Sequence, residues 1–232
     1  MRHLCQQPNS VDDGEDARHK YQRIHGLGAL TSSFVDQRYN NGPFKLFCDD
    51  FQFGNILVNN AQDLKIVAVL DWEWAYAAPF QMLYSPPRWL LIKKPYNWSD
   101  EDIHRYKTLL ELFIGILDEE ENKRKERRSM PSMATLMRES MEDMKFWFHE
   151  QIYSCFESPD NQAWRLIQGR LSSIPGFAEI PAPDVELFVK YKLEQLEKYN
   201  EEWAAMKREI DRKEAEFQAL RERVEKEDRG EI

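Results

Sequence analysis

The sequence predicts an α+β chain that is mostly α, with a small β-hairpin region over residues 44–71 and a long C-terminal helix. Three observations carry that prediction. Apolar residues recur at helical spacing through much of the chain after residue 100. Short β-rich runs cluster between Phe44 and Leu70. From Asp184 to Asp228 there is no Gly or Pro, and charged residues dominate.

Taken in order, residues 1–12 carry no strong pattern. Asp12-Asp13-Gly14-Glu15-Asp16 then gives way to Arg18, His19, Lys20 and Arg23. Acid before base complements a helix dipole, so a helix should begin near Asp13, with Lys20 as a solvated charge on it. A second short helix is expected over 27–37, and Asn40-Asn41-Gly42-Pro43 is a turn. Phe44-Lys45-Leu46-Phe47 and Ile56-Leu57-Val58 read as short strands. Residues 64–70 are β-rich and mostly apolar, and should form a buried strand. Residues 56–70 then make a hairpin that sets Asp71 next to Asn55. Strand signals fade from Glu73, and residues 75–79 should lead into a short helix broken by Tyr84-Ser85-Pro86-Pro87.

Ser99 and Asp102 are spaced as a capping pair for a helix over 100–121. A basic break over 123–128 should separate it from an amphipathic helix over 133–156, whose methionines fill core space. A shorter helix should start at Ser158-Pro159-Asp160 and run to Arg170, before a turn-rich linker containing Pro175-Gly176 and Pro181-Ala182-Pro183. In the last helix Val189, Leu196, Trp203, Ile210, Phe217 and Val224 recur every seven residues, and Leu193, Tyr199, Met206 and Leu220 fill much of a second seam. That pattern has coiled-coil character and suggests self-association or docking through residues 184–229.

Composition excludes several classes. The 232 residues carry a formal charge of −9, with a pI near 5.2. That balance argues against a nucleic-acid or membrane-surface binder, which is normally basic. Cys5, Cys48 and Cys155 are too few and too scattered for a disulfide framework or a zinc site. The five histidines have no partners at metal-ligand spacing and receive no role. The start lacks the apolar core of a signal peptide, and no apolar run reaches the length of a membrane span. The cytoplasm is the expected compartment.

One stretch carries chemistry: Cys48-Asp49-Asp50-Phe51-Gln52-Phe53-Gly54-Asn55, answered by Leu70-Asp71-Trp72-Glu73. An aspartate five positions before an asparagine, a hairpin, and a second aspartate at its far end give the layout of a kinase-type site. Phosphoryl transfer needs positioning and charge neutralisation. Asp50 fits the base that accepts a substrate hydroxyl's proton. Asn55 and Asp71 offer the hard oxygen ligands that magnesium prefers. Trp72, Trp74, Trp89 and Trp98 are expected to pack in the core more than to stack on a substrate.

These residues resemble the aminoglycoside phosphotransferase-like family, which shares the protein-kinase-like fold. Its pattern is His-Gly-Asp-x-x-x-x-Asn, then Ile/Leu-Asp-Trp/Phe-Glu. The wider stretches from Gly42 to Asp50, from Trp74 to Pro79 and from Ser85 to Leu91 look like a branch common in filamentous fungi. The resemblance covers residues 9–170 and is closest over 42–98. It implies the C-terminal lobe of a kinase-like fold, with Asp50 as catalytic base, Asn55 and Asp71 as magnesium ligands, ATP as phosphate donor and a small-molecule hydroxyl as acceptor. Cys48 stands where the family has a loop-bracing histidine, Asp49 where it has glycine, and Phe53 where proline is frequent.

The residues before Asp50 offer no glycine-rich strand-turn-strand and no strand lysine to grip phosphates. The expected organisation is therefore a kinase-like C-terminal lobe over 1–180 without its N-terminal lobe, followed by the charged helix over 184–229. The function expected by ancestry is phosphate transfer. The alternative is an inactive, pseudokinase-like lobe that binds partners through its coiled-coil-like tail.

Overall fold

The computed structural model describes residues 2–124, 131–154 and 161–229. Two compact units emerge, one from Met1–Gln22 with Ile180–Ile232, the other from Arg23–Glu179. Residues 1–22, which the sequence groups with the 1–180 segment, belong to the same unit as the long helix.

The first unit contains α1 (Arg2–Gln6), the start of α2 (Gly14–Phe34), and α7 (Ala182–Asp228). Leu4, Val11, Ala17, Val185 and Val189 are buried. Tyr21 stacks on Phe188 with ring centroids 4.2 Å apart. Lys20 is buried rather than solvated: its Nζ donates to the Ser10 carbonyl at 3.0 Å and pairs with Asp16 at 2.7 Å. The helix start brings a carboxylate one turn from the amine, which offsets its desolvation. The two short helices expected over 13–37 are one helix, because neither Gly26 nor Gly28 interrupts the apolar periodicity.

Those two glycines should respond oppositely to substitution. A Cβ on Gly26 would meet Trp164 at 2.6 Å and Leu171 at 3.1 Å, whereas one on exposed Gly28 meets nothing within 4 Å. Gly28→Ala should therefore stabilise the protein by about 0.5–1 kcal/mol through helix propensity, and Gly26→Ala should destabilise it. Urea unfolding of the two variants beside the wild type checks both signs.

The second unit is helical around two small sheets. Strand β1 (Phe44–Cys48) pairs antiparallel with β4 (Ala75–Pro79), with Phe47 opposite Tyr76. Strand β2 (Ile56–Val58) pairs antiparallel with β3 (Ile66–Val69) as the expected hairpin, with a register irregularity at Leu57/Val58. Two expectations fail here. Residues 75–79 form a strand, which the sequence did not signal, before the expected short helix, a 3-10 helix over Phe80–Tyr84; small alanines on a sheet edge give little β signal, and pairing with β1 supplies the order. Residues 64–70 are not buried either, since Ile66 and Val67 are about 60% exposed. A two-stranded hairpin has no second layer, and only Ala68 and Val69 are half-buried.

The core lies among the later helices. α3 (Asp100–Lys123) begins with the capping box expected of Ser99 and Asp102. The helix expected over 133–156 is two, α4 (Met133–Glu142) and α5 (Lys145–Ser154), broken where Met144 takes a left-handed φ of 73°. α6 (Gln162–Ile167) is capped by Asn161, whose side chain accepts from the Trp164 amide. Trp98, Tyr106, Phe146 and Trp147 are buried together with Leu30, Leu110, Ile114 and Ile167. Met137 is buried in this cluster, and Met133, Met141 and Met144 pack against it. The basic run from Lys125 to Arg128, the end of the expected helix at Phe156 and the helix start at Ser158-Pro159-Asp160 lie outside the described residues. No helix among the described residues is long and apolar enough to cross a membrane.

Candidate functional site

The loop after β1 turns back through a short 3-10 turn, Phe53–Asn55, directly into β2. Asn55 Nδ2 donates to the Asp50 carbonyl at 2.8 Å and reaches its Oδ2 at 3.4 Å. Gln52 Nε2 donates to Asp50 Oδ1 at 3.1 Å. Because the Asn55 amide nitrogen is committed to Asp50, its Oδ1 is the end left to act as a ligand.

Asp71 is joined to this loop through the backbone. The Leu70 amide donates to the Asn55 carbonyl at 2.8 Å, tying the end of β3 to the start of β2. Asp71 itself is exposed and takes a left-handed φ of 59°, a conformation aspartate tolerates better than most residues. Among the described residues no hydrogen bond or ion pair engages its carboxylate. The fold thus brings Asp50 and Asn55 into contact and sets Asp71 one residue beyond Asn55's backbone partner. An amide oxygen and an unpaired carboxylate suit a hard divalent cation. Among the described residues no group of three His, Cys, Asp or Glu side chains is placed to hold a metal; Asn55 and Asp71 are a pair, and one of them offers an amide oxygen.

The loop is braced by residues that sequence reading left without roles. Asp49 is the anchor. Its Oδ1 accepts from the Tyr76 hydroxyl on β4 at 3.3 Å and from the Tyr153 hydroxyl on α5. Arg88 donates through Nη2 to the Asp49 carbonyl at 2.9 Å, lies 3.8 Å over the Tyr153 ring, and approaches the Glu150 carboxylate at 3.9 Å. Burial and the Asp49 carboxylate together raise the pKa of both tyrosines, so both remain hydroxyl donors. Cys48 contributes only a 4.0 Å contact from Sγ to the Asp71 carbonyl. Phe53 packs edge-on to Trp89 at 4.6 Å, and Trp89 in turn meets Phe113 of α3 at 6.2 Å. Only a tertiary contact reveals these partners: Arg88 is 39 and Tyr153 is 104 positions from Asp49.

A cavity of about 460 Å³ opens beside Asp50, lined among others by Arg88, Trp89, Lys93, Glu150 and Tyr153. A second, of about 540 Å³ and mostly apolar, lies between β1, Trp72 and α5. Glu150 borders both cavities and is buried, which pushes its pKa up to about 7 even with Arg88 nearby. His149 borders the second cavity, and burial, with a contribution from Lys145, lowers its pKa to about 4. Of the four tryptophans assigned to packing, Trp98 is in the core and Trp89 is half-buried against the loop. Trp72 and Trp74 instead stand about half exposed beside Asp71. With Leu64, Ile66, Val67 and Leu70 they make an uncovered apolar belt.

Comparison with protein-family models, with curated proteins and with solved structures returned no match.

Proposed function

We propose that the 23–179 unit is an aminoglycoside phosphotransferase-like lobe that carries the acceptor and metal side of a site for moving the γ-phosphate of ATP to a small-molecule hydroxyl in the cytoplasm. The observation that supports this reading best is the Asn55 amide turned onto Asp50. It ties Asn55 to the Asp50 loop through the amide nitrogen and leaves the Asn55 Oδ1 outside that bond. In this reading Asp50 takes the proton from the acceptor hydroxyl. Asn55 and Asp71 would hold magnesium, which when bound neutralises charge on the nucleotide phosphates. The cavity beside Asp50 is large enough for a small-molecule acceptor.

A second reading, a kinase-like lobe that binds without transferring phosphate, is favoured by one observation. Among residues 2–43 there is no strand, so those residues supply no glycine-rich strand-turn-strand. The apolar belt near Asp71, uncovered among the described residues, fits either reading.

Calorimetric titration with ATP and magnesium separates the readings. The expected result is magnesium-dependent binding that Asp71→Ala abolishes and that Asp50→Asn retains while lacking turnover. Absence of binding by the wild-type chain would sink the enzyme reading for this chain. Binding indifferent to Asp71→Ala would remove Asp71 from the site.

A further inference from the structure

Helix α7 is 47 residues long, and from Glu201 to Arg229 every residue is exposed. Its apolar stripe is therefore unpartnered: Trp203, Met206, Ile210, Phe217, Leu220 and Val224 are each between 43% and 64% exposed. The helix does not need a partner to stay helical. Arg212 bridges Glu209 and Glu216, Arg221 pairs with Glu225, and Arg223 pairs with Glu227 along its own surface. What lacks a partner is the stripe. Trp203, Ile210, Phe217 and Val224 take one position of a seven-residue repeat, and Met206, Lys213 and Leu220 take the position three residues on.

We propose that α7 pairs with α7 of a second copy of this chain as a parallel, in-register coiled coil over residues 202–228, about 40 Å of helix. The charges flanking the seam choose this occupant and this direction. In a parallel pair, each flanking residue before a core position meets the residue five positions on in the other helix. Glu202 then faces Lys207 of the second copy, Glu216 faces Arg221, and Arg223 faces Asp228. Only Glu209 facing Glu214 is a like pair, and Lys213, the one polar core residue between Trp203 and Val224, stands in that layer. Its Nζ already lies 3.4 Å from Glu209 Oε1. An antiparallel pair that aligns Trp203 with Leu220 would instead set Glu209 against Glu216 and leave fewer opposite pairs along the seam. A buried polar residue at a single seam position penalises slipped registers, which would bury its charge against apolar layers.

The test uses the full chain. Sedimentation equilibrium at micromolar concentration should give twice the mass of one chain, and Ile210→Lys should raise the dissociation constant by at least about 100-fold. Circular dichroism should show the helix content of that variant retained. Lys213→Leu should tighten the dimer. Direction is read in a background with Cys5, Cys48 and Cys155 changed to Ser: Ile210→Cys should form an interchain disulfide on mild oxidation. A monomer at every concentration, or a dimer unaffected by Ile210→Lys, overturns the proposal. A dimer that cross-links only when Cys at 210 is mixed with Cys at 213 overturns the parallel arrangement. None of these readouts depends on nucleotide binding.

Discussion

Trp98→Ala should lower the stability of the protein by about 3–5 kcal/mol, a large share of the total for a unit of this size. Trp98 is 2% exposed and stands at the centre of an aromatic cluster, with ring centroids 4.4 Å from Tyr106, 5.9 Å from Phe146 and 5.8 Å from Trp147. Its indole nitrogen donates to the Lys93 carbonyl at 2.7 Å, which ties the segment before α3 to the core. Truncation removes the burial, leaves a cavity that three rigid rings cannot collapse into, and orphans a carbonyl. Trp98→Phe keeps most of the volume and should cost less than half as much. Chemical denaturation of both variants, followed by circular dichroism, checks the ordering. Equal, small losses would mean that the cluster repacks.

Glu150→Gln should make the protein more stable at pH 8 by about 3 kcal/mol and leave it unchanged near pH 4. The sign follows from where each state holds its proton. In the folded protein Glu150 keeps its proton up to about pH 7, against an ordinary value of 4.5, because burial disfavours the carboxylate more than Arg88 favours it. Between those values the unfolded chain has released the proton and the folded one has not, so stability falls as pH rises, and the cost is fully present above pH 7. His149, one residue away, acts in the opposite sense. Its pKa drops from 6.5 to about 4, so the unfolded chain takes up a proton that the folded one refuses, and stability is lost as pH falls through that window. The two slopes oppose each other between about pH 4.5 and 6.5, and the wild type should be nearly flat there. Glu150→Gln leaves only the His149 slope. Urea midpoints at pH 4, 5.5 and 8 measure it; identical midpoints for wild type and variant at all three would show that Glu150 is not held protonated.

Much of the fold was legible in the sequence because its signals are local. Ser99 and Asp102 are three residues apart, and their reciprocal capping bonds need nothing else. The hairpin of β2 and β3 is closed by a short turn in which Asn59 and Asn60 side chains bond the following backbone. The long helix lacks breakers from Asp184 onward and is written in a seven-residue repeat. Of the candidate site, Asp50, Asn55 and Asp71 were legible from spacing, and the structure links them through the Asp50–Asn55 contact and the Leu70–Asn55 backbone bond.

The misreadings are equally physical. Lys20 read as solvated because its charge says nothing about a neighbouring carbonyl contributed by Ser10. The 64–70 run read as buried because apolar composition shows that a strand wants cover, not that a second layer exists. Met144 broke one periodic pattern into two helices through a backbone angle that no composition signals.

By itself, then, the sequence determined the long helices α3 and α7, the cap at Ser99, the hairpin and the spacing of the three motif residues, since each depends on neighbours a turn or two away. Tertiary structure alone decided that residues 75–79 pair with β1, and that Asp49 is held by Tyr76, Arg88 and Tyr153. It also decided that Glu150 titrates near neutrality. Those properties depend on groups tens of residues apart that share a low-dielectric space, and no local pattern in the chain encodes that proximity.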